Sequence, residues 1–275
     1  MKKILFVLLA CLPLTVQADL SDFKVATWNL QGSSSRTESK WNINVRQMVS
    51  GDGAVDILMV QEAGSPPESA TETDRVIISP GIPVREFTWN LGSNTRPERM
   101  FIYFAQIDVF AGRVNLAIVS NRRADDVIVL PGPTTVSRPV IGIRIGNDAF
   151  FTAHALASRG VDAPAIVENV YAYFRNNPRP ELQAVNWMIA GDFNRPPDTL
   201  RQMLERPARN SSAILAPEAP TQRSGGILDY AVVGNAVAFI PPPLRAGLRF
   251  GLRRTQISSD HYPVGFFQPP PGEPK

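Results

Sequence analysis

The chain has 275 residues, 44% of them hydrophobic, a formal net charge of +3 and a single cysteine. That composition supports a sizeable core, and one thiol excludes both an internal disulfide framework and a multi-cysteine zinc site. So small a net charge does not by itself announce a nucleic-acid partner.

The first predicted element is a targeting segment. Lys2 and Lys3 precede an apolar run over 4–14, and Val16-Gln17-Ala18 forms a small-x-small cleavage site, so residues 1–18 read as a signal peptide. The apolar run is short for a bilayer span, and the expectation is a secreted protein. Cleavage before Asp19 leaves 257 residues with a net charge near +1 and removes Cys11. The mature protein then has no thiol, and any companion must be held noncovalently. A single domain is predicted over 19–268, followed by a disordered proline-rich tail over 269–275.

Short apolar runs bounded by Gly, Pro, Asn or Asp predict strands at 23–28, 56–61, 100–107, 114–119, 140–145, 149–152, 187–190, 228–233 and 263–267. Trp41, Val45, Met48 and Val49 recur at helical spacing. So do Ile166, Val167, Val170, Tyr171 and Phe174, with Asp162 as N-cap and Pro164 in the first turn. A shorter helix is predicted after Asp198. Many strands with few helices give the fold class α+β: two sheets packed face to face, helices outside.

Polar residues mark most strand ends. They are Asn29 in Thr27-Trp28-Asn29-Leu30, Glu62 in Val60-Gln61-Glu62-Ala63, His154 in Thr152-Ala153-His154, and Asp192 with Asn194 in Gly191-Asp192-Phe193-Asn194. Asp229 in Leu228-Asp229-Tyr230 and Asp260 with His261 in Ser259-Asp260-His261 complete the set. A strand alternates faces, so an acid following an apolar run is carried to the rim of a sheet. Carboxylate and amide oxygens suit hard Mg2+. The chain's two histidines suit proton transfer near neutral pH. Singly, each cluster also reads as an ordinary turn or strand exit.

In order, Trp28-Asn29, Gln61-Glu62, Ser137-Arg138-Pro139, His154, Asp192-Phe193-Asn194, Leu228-Asp229-Tyr230 and Ser259-Asp260-His261 resemble the endonuclease/exonuclease/phosphatase superfamily, the fold of DNase I. Within it, Ala26-Thr27-Trp28-Asn29-Leu30-Gln31-Gly32, Glu38-Ser39-Lys40-Trp41-Asn42, Val60-Gln61-Glu62-Ala63-Gly64 and Arg113-Val114-Asn115-Leu116-Ala117 are similar to the B-subunit family of cytolethal distending toxins. The 148–157 segment shares that likeness, which runs from the signal segment to about residue 267.

The resemblance implies a four-layer α/β sandwich and a secreted genotoxin subunit that nicks host DNA, causing DNA damage and cell-cycle arrest. It implies that Glu62, with Asn29 and Asp260, binds Mg2+, for which Mn2+ or Ca2+ can substitute. By the same likeness Asp192 and Asn194 orient the attacking water and contact the scissile phosphate. His154 and His261 are the catalytic histidines, Asp229 holds His261, and Arg138 grips the substrate phosphate. Implied partners are double-stranded DNA and two lectin-like companions, the A and C subunits, in a noncovalent heterotrimer acting in the host nucleus. The superfamily also includes phosphatidylinositol 3,4,5-trisphosphate phosphatases, so phosphoinositide headgroups are the alternative substrate. Arg245, Arg249, Arg253 and Arg254 read as DNA-groove contacts, a solvated surface or a nuclear-delivery signal.

Overall fold

The computed structural model describes residues 19–32, 40–78, 82–108, 113–249 and 259–269. The signal segment with Cys11, Glu38, Arg253, Arg254 and residues 270–275 of the predicted tail lie outside the described residues. Among the described residues no helix is long and apolar enough to cross a membrane.

The chain first lays down β1 (Val25–Asn29), β2 (Ile57–Gln61), β3 (Ala70–Ile78), β4 (Pro83–Asn90), β5 (Arg99–Ala105) and β6 (Leu116–Ser120). It then builds a second sheet from β7 (Asp126–Leu130), β8 (Val140–Ile145), β9 (Asp148–His154), β10 (Asn186–Asp192), β11 (Ser212–Leu215) and β12 (Asp229–Asn235). Finally β13 (Arg245–Leu248) and β14 (Val264–Phe267) return to the first sheet. The orders are β13-β14-β1-β2-β6-β5-β4-β3 and β11-β12-β10-β9-β8-β7.

Alternation along each strand builds the layers. Val25, Ile57, Met59 and Ile118 face the second sheet and pack on Ile141, Ile143, Phe150 and Met188. Their neighbours Ala26, Trp28, Leu58 and Val60 face outward onto Trp41, Val45 and Val49. Across the sandwich, Phe151, Ile189 and Val232 turn outward onto Ile166, Val167, Val170 and Phe174. Both faces of each sheet are therefore covered, which is why the central strands read as near-continuous apolar runs. Burying a large side chain such as Phe150 or Phe151 stabilises by roughly 1.5–3 kcal/mol relative to exposure.

Both main predicted helices form. The first begins as a π-helical turn, Lys40–Val45, and continues as α1 (Arg46–Val49); the second is α2 (Ala163–Arg175). Three short helices follow: α3 (Pro180–Gln183), α4 (Pro197–Met203), which answers the prediction after Asp198, and α5 (Arg206–Asn210). Asp162 departs from its expected role. It makes no capping bond to α2 and instead accepts the Leu156 amide at 2.8 Å, shaping the loop that leaves His154.

Five strands carry no sequence prediction: β3, β4, β7, β11 and β13. Edge position goes with four of them, since β3, β7, β11 and β13 each pair on one side only; polar or small residues mask β3, β11 and β13, whereas β7 is an apolar Val-Ile-Val-Leu run. β3 reads Ala-Thr-Glu-Thr-Asp-Arg before its Val-Ile-Ile, with a register shift between Glu72 and Val76. Irregular edges of this kind discourage pairing with other chains and hide the apolar signal.

Candidate active site

Strand direction gathers the polar clusters at one end of the sandwich. β1 and β2 run parallel and finish side by side at Asn29 and Gln61. In the second sheet, register sets Asp192 beside both His154 of β9 and Asp229 of β12. The expectation that each cluster terminates a strand needs correction for two of them. Asp229 opens β12, and Asp260 with His261 precedes β14; these strands run antiparallel to β10 and β1, so their starts reach the same rim.

Gln61 forms the floor. Fully buried, it donates from Nε2 to Thr27 Oγ1 (3.0 Å) in its own sheet and to Thr152 Oγ1 (2.9 Å) in the other. A buried amide linking the two sheets fixes their separation directly beneath the site. Above it, one turn motif occurs twice. Gln31 and Asn194, both at φ 49°, each give their backbone N–H to a side-chain oxygen two residues back, Asn29 Oδ1 (2.9 Å) and Asp192 Oδ1 (2.9 Å). Glu62 is also left-handed at φ 48°. Such conformations cost a non-glycine residue about 1–3 kcal/mol and persist where surrounding bonds enforce them. The two turns meet across the sandwich, where Asn29 Nδ2 donates to Asp192 Oδ2 (3.1 Å) and to Glu62 Oε1 (3.3 Å).

The histidines flank Asp192. Each Nε2 stands 3.7 Å from Asp192 Oδ2, and His154 Nε2 is 3.9 Å from Glu62 Oε1. Their other nitrogens differ. His261 Nδ1 contacts Asp229 Oδ2 at 2.8 Å, whereas His154 Nδ1 is buried with no partner. Burial pulls His261 down, but the Asp229 hydrogen bond and charge, with Asp192 and Asp260, raise it to about 9. Burial, with the charges of Arg138 and His261, keeps His154 well below 6.5. One imidazole is therefore charged and the other neutral at pH 7. Burial first, then the Asp229 charge, pushes Asp192 up to about 7.

Cations close the rim. Arg138 Nη1 donates to the backbone carbonyls of His154 (3.1 Å) and Ala155 (2.7 Å), which anchors the guanidinium beside the histidine. Asn194 Nδ2 holds the same Ala155 carbonyl at 3.0 Å. Gly160 (φ 52°) permits this loop, since a Cβ there would strike the Phe193 carbonyl. A cleft of about 490 Å³ is lined by Glu62, Arg113, Arg138, His154, Asp192, Asn194, Asp260 and His261, among others.

The sequence pattern of the Endonuclease/Exonuclease/phosphatase family matches residues 26–261. The B subunit of the Escherichia coli cytolethal distending toxin is 62% identical over 96% of this chain and 98% of its own. A solved structure of CdtB, the biologically active subunit of cytolethal distending toxin, has 63% identity and a TM-score of 0.89, covering 91% of this chain and 99% of the other. The crystal structure of cytolethal distending toxin from Actinobacillus actinomycetemcomitans gives 50% identity and a TM-score of 0.86, with coverage of 91% and 99%. The chain belongs to the endonuclease/exonuclease/phosphatase family, in its cytolethal distending toxin B-subunit branch.

As in that family of hydrolases, the donor set fits a hard divalent cation. Glu62, Asp192 and Asp260 bring three carboxylates to one cleft, and burial, against the Asn29 bond, raises Glu62 from its ordinary value. Asp192, Asp229 and His261 have ligand atoms within 4.8 Å of one another, yet Asp229 and His261 are engaged with each other. Glu62 and Asp260 could supply oxygen ligands, beside Asn29, which here turns its Nδ2 to Glu62 and its Oδ1 to the Gln31 amide.

The structure brings together Asn29, Glu62, Arg138, His154, Asp192, Asn194, Asp229, Asp260 and His261. Arg245 and Arg249 do not line this cleft, so any DNA contact they make is remote from the reacting centre. Arg245 pairs in register with Phe267, next to the Phe266–Val25 pair, at the end of β1 opposite Asn29. Arg249 lies along Gly265 and donates from Nη2 to the Gly53 carbonyl at 2.5 Å. Arg249 follows β13 at the end nearer the rim, its N–H bonded to the Pro263 carbonyl at 2.9 Å, but its side chain turns back along the sheet away from the cleft. Sequence reading assigned no role to Arg113, Gln31 or Gln222, which line the cleft, nor to Thr221, whose Oγ1 accepts the amides of Leu228 (2.9 Å) and Asp229 (3.0 Å). Arg113 and Gln31 stood within the toxin-like motifs; Gln222 and Thr221 gave no signal.

Proposed function

We propose that this family member is a Mg2+-dependent phosphodiesterase that nicks duplex DNA, as the catalytic B component of a cytolethal distending toxin. The observation that carries this reading is the placement of a charged and a neutral imidazole, each 3.7 Å from one near-neutral carboxylate, in a cleft faced by Arg113 and Arg138.

Asp192 Oδ2 accepts a proton from the attacking water, whose oxygen forms the new bond to phosphorus. The ester P–O bond opposite breaks; His261 Nε2, 3.7 Å from Asp192 Oδ2, stands on the side of the attacking water, so the departing oxygen takes its proton from solvent. Asp229 keeps the imidazolium in that orientation. Uncharged His154 donates from Nε2 without adding a third charge to the cluster. Arg138 and Arg113 present N–H donors to the equatorial oxygens, where charge accumulates. Glu62 and Asp260, with Asn29, would hold a divalent cation, which would supply further neutralisation of the phosphoryl group.

The toxin-level reading rests on the high identity to B subunits along nearly the whole chain. It extends to export by the signal segment, action in the host nucleus, and noncovalent assembly with A and C companions. Assays on supercoiled plasmid and on phosphatidylinositol 3,4,5-trisphosphate, run with one preparation with and without chelator, test it. Metal-dependent nicking is expected. Unchanged nicking in excess chelator removes the metal from the mechanism, and hydrolysis of the lipid alone reassigns the substrate.

A further inference from the structure

The three residues assigned to the cation sit on three separate loops, and nothing in their own bonds sets all three. Asn29 closes β1, Glu62 follows β2, and Asp260 precedes β14. Two adjacent residues at the start of the π-helical turn connect them. Lys40 Nζ donates to the carbonyls of Leu30 and Gln31 (the latter at 2.9 Å), the two residues after Asn29. Trp41, fully buried, donates from Nε1 to the carbonyl of Ala63 at 2.9 Å, the residue after Glu62. Gln31 completes the link: its Oε1 accepts the backbone N–H of Asp260 at 3.1 Å.

We infer that Lys40 is a positioning residue that sets the divalent-cation affinity of the site, acting through the left-handed turn at Gln31. This rests on the metal-dependent reading above. The turn is intrinsically unfavourable for a glutamine. The carbonyls of Leu30 and Gln31 meet the ammonium, while the Gln31 amide is held by Asn29 Oδ1 at 2.9 Å. Lys40 thus holds Asn29 from behind, and through the Gln31 side chain it also holds Asp260. Trp41 secures the Glu62 loop in the same helical turn, so the amide and both carboxylates are positioned from one short segment. The ammonium does not touch the reacting atoms, but its charge attracts Glu62 and Asp260 and by itself opposes a cation, so the inference requires the loss of positioning in Lys40→Met to outweigh that relief. Without these bonds the Leu30–Gln31 carbonyls lose a partly buried donor, and the turn relaxes to ordinary backbone angles. The Asn29 oxygen then swings and the Asp260 backbone loses its anchor.

The test measures Mn2+ binding to metal-free protein by electron paramagnetic resonance, with no catalysis involved. Lys40→Met keeps the length of the side chain and removes the donors. It is expected to weaken Mn2+ binding by ~10–100-fold, the usual effect of losing an outer-shell partner, while the melting temperature changes little. Lys40→Arg, which retains donors and charge, should recover part of the loss. Gln31→Ala cuts only the link to Asp260 and should weaken binding by less, on the order of several-fold. Wild-type affinity in a folded Lys40→Met protein, with Glu62→Gln abolishing binding, overturns the inference and leaves the metal site standing. Wild-type affinity in Glu62→Gln overturns the metal site itself. If Lys40→Met does not fold, Gln31→Ala decides, and unchanged affinity there counts against the inference.

Discussion

His261 Nδ1 lies 2.8 Å from Asp229 Oδ2, an ion pair buried at the meeting point of the two sheets. It distinguishes the two imidazoles of the site, because His154 has no such partner. The chain contains only these two histidines, so each gives a traceable imidazole signal in a proton NMR titration. In metal-free protein one signal is expected to titrate at about 9 and the other well below 6.5. Asp229→Asn should bring the first signal down toward its ordinary value. Two histidines titrating together near 6.5 would refute the division of roles.

Loss of either histidine should remove most nicking. A positioned acid or base contributes ~10²–10⁴-fold, so His154→Ala and His261→Ala are each expected to fall within that range. Because both act around one Asp192 oxygen, the double variant should be little worse than the worse single. Near-full nicking by either single variant would return that histidine to a structural role.

Asp192 links the site to stability. Its folded carboxyl titrates at about 7 against 3.8 ordinarily, through burial first and the Asp229 charge second. A raised folded value means that stability is present while the group is protonated and is lost as pH rises between about 4 and about 7. Asp192→Asn never ionises, so in chelator its melting temperature should exceed wild type more at pH 8 than at pH 5. Calorimetry showing an equal gain at both values would contradict the raised carboxyl.

The arginines should separate by location. Arg138→Ala should impair cleavage of a small soluble phosphodiester as well as DNA, since its guanidinium borders the reacting centre. Arg249→Ala removes packing along Gly265 and the bond to Gly53, so it should lower the melting temperature and spare small-ester hydrolysis. If Arg249 neutralised a phosphate, its loss would reduce the salt slope of DNA binding by about 0.9. We expect that slope to stay as it is, and a measured decrease would place Arg249 back in a DNA contact.

Much of the site is legible without the fold because its residues follow apolar strands, and strand periodicity carries a terminal polar group to the rim. Asn29, Glu62, His154 and Asp192 emerge that way, and the motif order supplies Arg138, Asn194, Asp229, Asp260 and His261. Periodicity does not reveal long-range direction. The antiparallel course of β12 and β14 decides that Asp229 and His261 meet, from sequence positions far apart. Edge strands β3, β11 and β13 are illegible because polar or small residues interrupt them, whereas the Val-Ile-Val-Leu run of β7 is an apolar signal that went unread.

The amino-acid sequence by itself determined most of the strand-and-helix composition, the family and the candidate site residues, because these depend on local periodicity and on residue types in order. Only the tertiary structure decided which histidine carries charge, because that depends on Asp229 being buried against one imidazole and absent from the other. It alone showed Gln61 joining the two sheets, Lys40 and Trp41 clasping two loops, and Arg249 turned from the rim. Each of these is a hydrogen bond between residues whose spacing along the chain carries no trace of the contact.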